Sequence, residues 1–418
     1  MTNGSAAINA GATGAPCLSI GILAWNEEEA IEAMLASLFE QSLFSELSKG
    51  KLKVEIICVA NGCTDKTAAI AARVLAETGR CHPFREVFSA RTVEIKERGK
   101  IQAWNLFVHR LSAKEARFLL LMDGDIVIHR PNTLWNMYLA LADNPEASVA
   151  VDQPIKDIAL QPKKSLLEKI SLGSSEMTRT APAQLSGQLY CIKASVARNI
   201  YLPRDLLTED GFIKAVVCTD FLTRAISPGR IQLAKDAAHI FQAYTAIPDI
   251  LKNQKRQMIA QTMVHLLVDR YLKNLPLVER LNLAQTLKEE ESADPLWLKR
   301  LIAEHLRRTK HFWRLFPGLL TFRFERLGKL EGAKKVTQFP AALAGFLITL
   351  VACWQAHRFL KQGCTDYWPD TSSPKLGGLR ASPCDDRLPM ADCRIEKGPS
   401  ASKSAMGNRP PAIPFIAP

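Results

Sequence analysis

The chain has 418 residues, 47% apolar and 23% charged, with 22 glycines and 23 prolines. These are ordinary globular proportions at a length suited to two or three folding units, which excludes a collagen-like or wholly disordered chain. Lys and Arg number 54 against 42 Asp and Glu, a net charge of +12, and the presence of only one long uncharged apolar run excludes a multispan transporter.

Residues 1–16 are small and polar and read as a flexible leader; they lack a basic segment followed by an apolar one, so no signal peptide is expected. Leu18–Ala24 then reads as a buried strand. From Glu27 to Phe44 the residues Ala30, Ile31, Met34, Leu35, Leu38 and Phe39 recur at helical spacing. Val54–Ala60 is a second strand, Asn61-Gly62 a turn, and Thr64 or Asp65 can cap a helix running to about Thr78. Val93–Glu97 suggests a third strand, Gly99–Leu111 a helix and Phe118–Met122 a fourth strand. Continuous apolar strands alternating with helices predict a parallel sheet covered on both faces.

After residue 150 the pattern loosens. Ser186–Lys193 and Arg230–Lys235 read as strands, with a helix near Thr208–Val217 and a helical stretch from Pro248 to Leu275. Between Pro295 and Lys335 eleven Lys and Arg meet only Glu304, Glu325 and Glu331. Most of the charge excess lies there, interleaved with Trp and Leu, a mixture suited to an interfacial amphipathic segment. Phe339–Trp354 gives 16 uncharged residues, short of the roughly 20 a spanning helix needs unless the run continues to Leu360; a buried core helix is the alternative. From Gly363 the chain is rich in Pro, Ser and Gly and is expected to be disordered. The ten cysteines form no CxxC pair; Cys58 and Cys191 sit in apolar runs and read as buried thiols, in keeping with a reducing compartment.

Asp123-Gly124-Asp125 is the most informative motif. It sets two carboxylates one residue apart at the end of a buried strand, where open α/β sheets form their ligand sites. Hard oxygen ligands on a turn can hold Mg²⁺ or Mn²⁺, and such an ion can bridge a diphosphate; a surface Asp-Gly turn is the bland alternative. Trp25-Asn26-Glu27-Glu28 and Asn61-Gly62-Cys63-Thr64-Asp65 follow the first two strands at the same edge. Each alone reads as a turn and cap; together they converge on one cleft. Lys100 at a helix start is a candidate anion contact or a solvated charge. Thr208-Glu209-Asp210 opens a helical pattern, as cap and helix-start acids or with Asp210 as a general base.

In order along the chain, LSIGILAWNEEEAI, VEIICVANGCTDKTAAIA, GKIQAWN, LLLMDGD and LTEDGF resemble the family 2 glycosyltransferases over roughly residues 17–260. The resemblance implies an α/β, GT-A type fold, a mixed, mostly parallel sheet covered by helices, which the composition of the remaining chain extends with a helical C-terminal membrane-associated region and a disordered tail. It implies a nucleotide-sugar-binding half at 17–150 and an acceptor-binding half at 151–250, and composition adds a helical, basic, membrane-interfacial region at 251–338, a transmembrane or membrane-embedded helix at 339–360 and a disordered tail at 361–418. The activity implied is inverting transfer from a nucleotide-diphosphate sugar to a saccharide or lipid-linked acceptor.

By the same resemblance Ala24, Asn26 and Glu27 line the nucleoside pocket, and Asn61 stands where the family usually has a base-binding aspartate. Lys100 and Glu209 lie near the donor, Asp123 and Asp125 form the metal and diphosphate motif, and Asp210 is the base. His239 is a further candidate metal ligand; as a lone histidine it reads equally as packed. The processive members' Gln-x-x-Arg-Trp motif is replaced by Asn253-Gln254-Lys255-Arg256-Gln257-Met258, leaving Arg256 as a diphosphate contact or a solvated helix charge. Membrane attachment at the cytoplasmic face of the inner membrane is expected, for envelope or exopolysaccharide assembly. No nucleic-acid partner is expected, because the basic cluster lies with an apolar segment outside any nucleic-acid motif. A sugar nucleotidyltransferase and a non-catalytic partner of the same fold are the alternatives.

Overall fold

The structure, a computed structural model, describes residues 15–163, 168, 172, 184–244, 246–309, 321–328 and 332–362. The expected leader up to residue 14, residues 310–320 of the basic stretch and the expected tail from 363 onward lie outside the described residues.

Among the described residues the strands are β1 Leu18–Ala24, β2 Val54–Asn61, β3 Phe88–Ile95, β4 Phe118–Asp123, β5 Val127–Ile128, β6 Val149–Lys156, β7 Leu189–Lys193 and β8 Ile231–Phe241. They form one sheet in the order β3-β2-β1-β4-β7-β6-β8-β5. The first four run parallel. β7 is antiparallel to both β4 and β6, β8 is parallel to β6, and β5 closes the far edge antiparallel to β8. The sheet is therefore mixed, mostly parallel and covered by helices, as the sequence leads one to expect.

Burial follows from position in the sheet. Every residue of central β1 is buried, whereas edge strand β3 carries exposed residues, because an inner parallel strand is covered on both faces. Ile20, Ile22, Ile56, Cys58, Leu120 and Met122 pack on one face beneath Ile31, Met34 and Leu35 of helix Ile31–Phe39. Leu23, Ile57, Val59, Leu119 and Leu121 pack on the other with Trp104, Phe107 and Phe212. The Phe107 ring lies over Gly21, 2.8 Å from where a β-carbon would stand. Only glycine permits that approach.

Several elements differ from their expected form. The helix expected over 27–44 is two, Ile31–Phe39 and Leu43–Lys49. At the break the Ser42 N–H donates to the Pro131 carbonyl at 2.9 Å, a partner outside the helical ladder. β3 begins at Phe88 rather than Val93. β6 was not legible: Asp152, Gln153 and Pro154 interrupt its apolar run, and its register against β8 shifts between Val151 and Gln153. The helix expected near 208–217 runs from Asp210 to Cys218.

Beyond the sheet come helices Ile247–His265, Leu283–Ala293, Trp297–Arg308, Phe322–Gly328 and Ala333–Lys361. The apolar side of Trp297–Arg308 is not free for an interface: Trp297, Leu298, Ile302 and Leu306 are buried in the main core. Among the described residues Lys335–Lys361 is the one helix long and apolar enough to cross a membrane, with a mean hydropathy of 1.8 over an 18-residue window within it.

Candidate active site

β1, β2 and β4 run parallel and in register, so Ala24, Asn61 and Asp123 end at one edge of the sheet. The loops that follow are stitched together there. Asn26 adopts the left-handed region, φ 54°, which asparagine tolerates better than most residues. Its Oδ1 accepts the Thr64 N–H at 2.8 Å and its Nδ2 donates to Thr64 Oγ1 at 3.2 Å. The Glu27 N–H donates to Thr67 Oγ1 at 2.7 Å and the Glu28 N–H to Asp65 Oδ2 at 3.1 Å. Asn61 is buried, and both ends of its amide are engaged by backbone: Nδ2 donates to the Ala24 carbonyl at 2.8 Å, and Oδ1 accepts the Gly99 N–H at 3.2 Å. Asn61 thus ties three strand-end loops together.

Lys100 opens helix Lys100–Leu106 directly after that Gly99 contact. Its Nζ lies 2.6 Å from Asp123 Oδ1 and 2.8 Å from Glu209 Oε1, and donates to the Gly187 carbonyl at 2.8 Å. One ammonium therefore joins the tip of β4 to the residue before helix Asp210–Cys218. Gly187 makes the junction possible, since a β-carbon there would meet Glu209 Oε1 at 2.5 Å. The Glu209 side chain keeps 4% of its surface exposed and that of Asp123 22%.

The electrostatics follow from this crowding. Burial pulls the Lys100 ammonium down, but Asp123 and Glu209 outweigh it and hold its pKa above the ordinary lysine range. Burial pushes the Asp123 carboxyl up to about 7 against the pull of Lys100. Asp125 is likewise raised by burial, opposed by Lys100, His239 and Arg256. Asp210 is raised by burial and then by the Glu209 charge, opposed by its bond from the Gly211 N–H at 2.7 Å and by Lys100. Lys100 thus acts on Asp123, Asp125 and Asp210 at once, and the three carboxylates singled out by sequence share one electrostatic neighbourhood. Arg256 is half-buried, and its charge is among those that oppose the rise at Asp125.

His239 is fully buried on β8, with Nδ1 2.8 and 2.9 Å from the two Asp152 oxygens and Nε2 3.4 Å from Gln188 Oε1. A carboxylate only accepts, so Nδ1 donates and Nε2 is the nitrogen turned toward Gln188. Among the described residues no three His, Cys, Asp or Glu side chains gather closely enough to cage an ion by themselves. Reading by motif missed Gly187, Gln188, Asp152 and Arg98. Arg98 stacks on the Trp25 ring at 3.7 Å, beside the stitched loops. A carboxylate inside the apolar run VAVDQ was the available signal for Asp152.

Fold and site together define an α/β protein with its polar site at the carboxyl edge of a parallel sheet, where such sheets bind their ligands. Residues 19–191 match the family model described as glycosyl transferase family 2, which shows over that segment the resemblance carried by the motifs. Among solved structures, S. aureus TarS 1-349 shares 15% identity with this chain, covering 84% of this chain and 88% of that one at a TM-score of 0.39. The same protein in complex with UDP-GlcNAc gives 15% identity, the same coverage and a TM-score of 0.40. Glucosyl-3-phosphoglycerate synthase from Mycobacterium tuberculosis, in complex with Mn²⁺, UDP-glucose and phosphoglyceric acid, shares 15% identity over 63% of this chain and 81% of that one, at a TM-score of 0.40. No curated protein matches the chain.

Proposed function

We propose that the protein is an inverting glycosyltransferase that moves a sugar from a nucleotide-diphosphate sugar to a hydroxyl of a saccharide or lipid-linked acceptor. The observation that carries this is the Lys100 ammonium, which links Asp123 at the β4 tip to Glu209 beside Asp210. It links a donor motif that lies within the segment matched by a sugar-transferring family to a candidate base beyond that segment.

The Asp210 carboxylate takes the proton of the acceptor hydroxyl. The freed oxygen lone pair attacks the anomeric carbon from the face opposite the leaving group, and the bond from that carbon to the diphosphate oxygen breaks. The raised pKa of Asp210 suits it to this task, since a base acts best when its pKa lies near the working pH. Lys100 and Arg256 supply positive potential where the diphosphate charge develops. Asn26, Glu27 and Asn61 hold the edge that receives the nucleoside, chiefly by fixing its backbone. Asp123 and Asp125 would hold a Mg²⁺ or Mn²⁺: two hard carboxylates on one turn suit an ion that draws its other ligands from substrate phosphates and water. When bound, that ion would neutralise the leaving diphosphate. His239, anchored through Nδ1, could serve the same site through Nε2. An acceptor in envelope or exopolysaccharide assembly would place the protein at the cytoplasmic face of the inner membrane.

A screen of nucleotide sugars with purified protein, with and without Mg²⁺ or Mn²⁺, tests the proposal. Release of nucleoside diphosphate is expected; release of pyrophosphate from a sugar phosphate and a nucleoside triphosphate would assign a nucleotidyltransferase instead. Asp210→Asn should keep donor binding and lose about 10²–10⁴-fold in turnover. Near-normal turnover in that variant would remove Asp210 from its role.

A further inference from the structure

Helix Ala333–Lys361 has two unlike faces. Val336, Phe339, Leu343, Leu347, Val351 and Trp354 are 41–74% exposed, and their spacing of three and four residues sets them in a single stripe. At about 1.5 Å per residue the stripe is roughly 27 Å long. The opposite side is small and buried: Ala342, Thr349, Ala352, Cys353 and Ala356. Its C-terminal half joins the main core beside Met258, Ile259 and Met263 of helix Ile247–His265, and Lys255 Nζ sits 4.6 Å over the Phe359 ring. Its N-terminal half is covered by helix Phe322–Gly328. There Phe324 packs on Phe346 at 5.3 Å, Arg323 fills the notch left by Gly345, and the Arg323 guanidinium donates to Thr349 Oγ1.

From these contacts we infer that the helix lies in the plane of an anionic membrane surface, its stripe in the lipid and its back on the protein, rather than across the bilayer. The inference deepens the membrane attachment proposed above and is independent of the sugar or reaction. To span, the helix would carry with it the helices packed along its back. Those bear Lys252, Lys255, Arg256, Arg323 and Glu325, and charged side chains drawn into hydrocarbon are strongly disfavoured. In the plane, the same packing keeps every one of them on the water side.

The exposed ends are cationic: Lys335 precedes the stripe, and Arg358 and Lys361 continue its line, with Arg358 4.9 Å over the Trp354 ring. That pattern suits acidic headgroups. It disfavours a second copy as the occupant, because pairing two stripes in either direction sets these cations against one another.

The test uses the full chain and vesicles of phosphatidylcholine with about a third phosphatidylglycerol, chosen for the anionic surface they present. Binding is expected, weakened by salt and by omission of the anionic lipid. The triple substitution Leu343→Ser, Leu347→Ser and Val351→Ser should lower binding by about tenfold or more with the thermal midpoint in solution unchanged, since all three positions are exposed. Absence of binding by the parent chain would overturn both the attachment and the in-plane placement. A solution mass that falls from dimer to monomer on the triple substitution would assign the stripe to self-association instead. Depth decides the rest: fluorophores placed through Phe339→Cys, Leu347→Cys or Trp354→Cys, corrected for labelling of the parent chain, should be quenched alike by shallow brominated lipid. A deep Leu347→Cys label with shallow ends would mean a spanning helix, overturning the in-plane placement while leaving attachment intact.

Discussion

Replacing Lys100 by methionine removes the single cation between two carboxylates while keeping most of the side-chain volume. In the structure the Nζ lies within 2.8 Å of Asp123, Glu209 and the Gly187 carbonyl, so the substitution leaves a nearly buried Glu209 beside a partly exposed Asp123 with no counter-charge on that atom. Breaking a buried ion pair from one side typically costs about 3–5 kcal/mol. The lower end applies here, because Asp123 keeps 22% of its side-chain surface in solvent. The loss should also depend on pH. Without Lys100 the folded-state pKa of Asp123, already raised by burial, climbs further above its unfolded value. The folded state then binds protons that the unfolded state does not, and stability increases as pH falls toward 5. Denaturant midpoints at pH 8 and pH 5.5 should therefore show a large deficit that shrinks at the lower pH. Adding Glu209→Gln should recover much of the deficit at pH 8, since the buried charge left behind is then gone. A loss under about 1 kcal/mol that is the same at both pH values would refute the reasoning, because exposed ion pairs behave in that way.

Gly21→Ala should cost about 1–3 kcal/mol, since its new methyl meets the Phe107 ring in the buried core; adding Phe107→Leu should return part of it, read by thermal unfolding. His109, whose Nε2 lies 2.9 Å from the Ile200 carbonyl, has its pKa lowered by burial to about 4. Stability it contributes is complete above the unfolded value near 6.5 and is lost as pH falls through that window to about 4, so His109→Gln should flatten the pH dependence there. Asp152→Asn weakens the carboxylate clamp on His239 Nδ1. If His239 serves an ion, metal affinity measured by calorimetry should fall about 10–100-fold; an unchanged affinity would leave His239 as a packed residue.

The first half of the sheet was legible because it obeys a local rule. β1, β2 and β4 are largely buried on both faces and so read as near-continuous apolar runs, interrupted by Glu55 near the start of β2, and parallel strands bring their ends to one edge whatever the loops contain. Placing Asp123 and Asp125 there needed only the end of FLLLM. The second half obeys no such rule. β6 carries Asp152 and Pro154 within it and changes register, and what stabilises Asp152 inside the core is His239, which lies 87 residues away. A charged residue in a strand reads as a strand end until its distant partner is known.

The same limit explains Lys100. From local sequence a lysine at a helix start is more plausibly solvated, and nothing near it in the chain predicts two carboxylates from separate loops. Its partners converge because β7 returns antiparallel to β4, which brings Gly187, just before β7, to the β4 tip. The short connection 199–209 then sets Glu209 against the space left by the missing side chain. Motif order located the acids; the reversal of one strand supplied the cation between them. A reversed strand is thus as much a part of the site as the Asp-Gly-Asp turn, and a substitution that fills Gly187 should injure the site while leaving every motif residue in place.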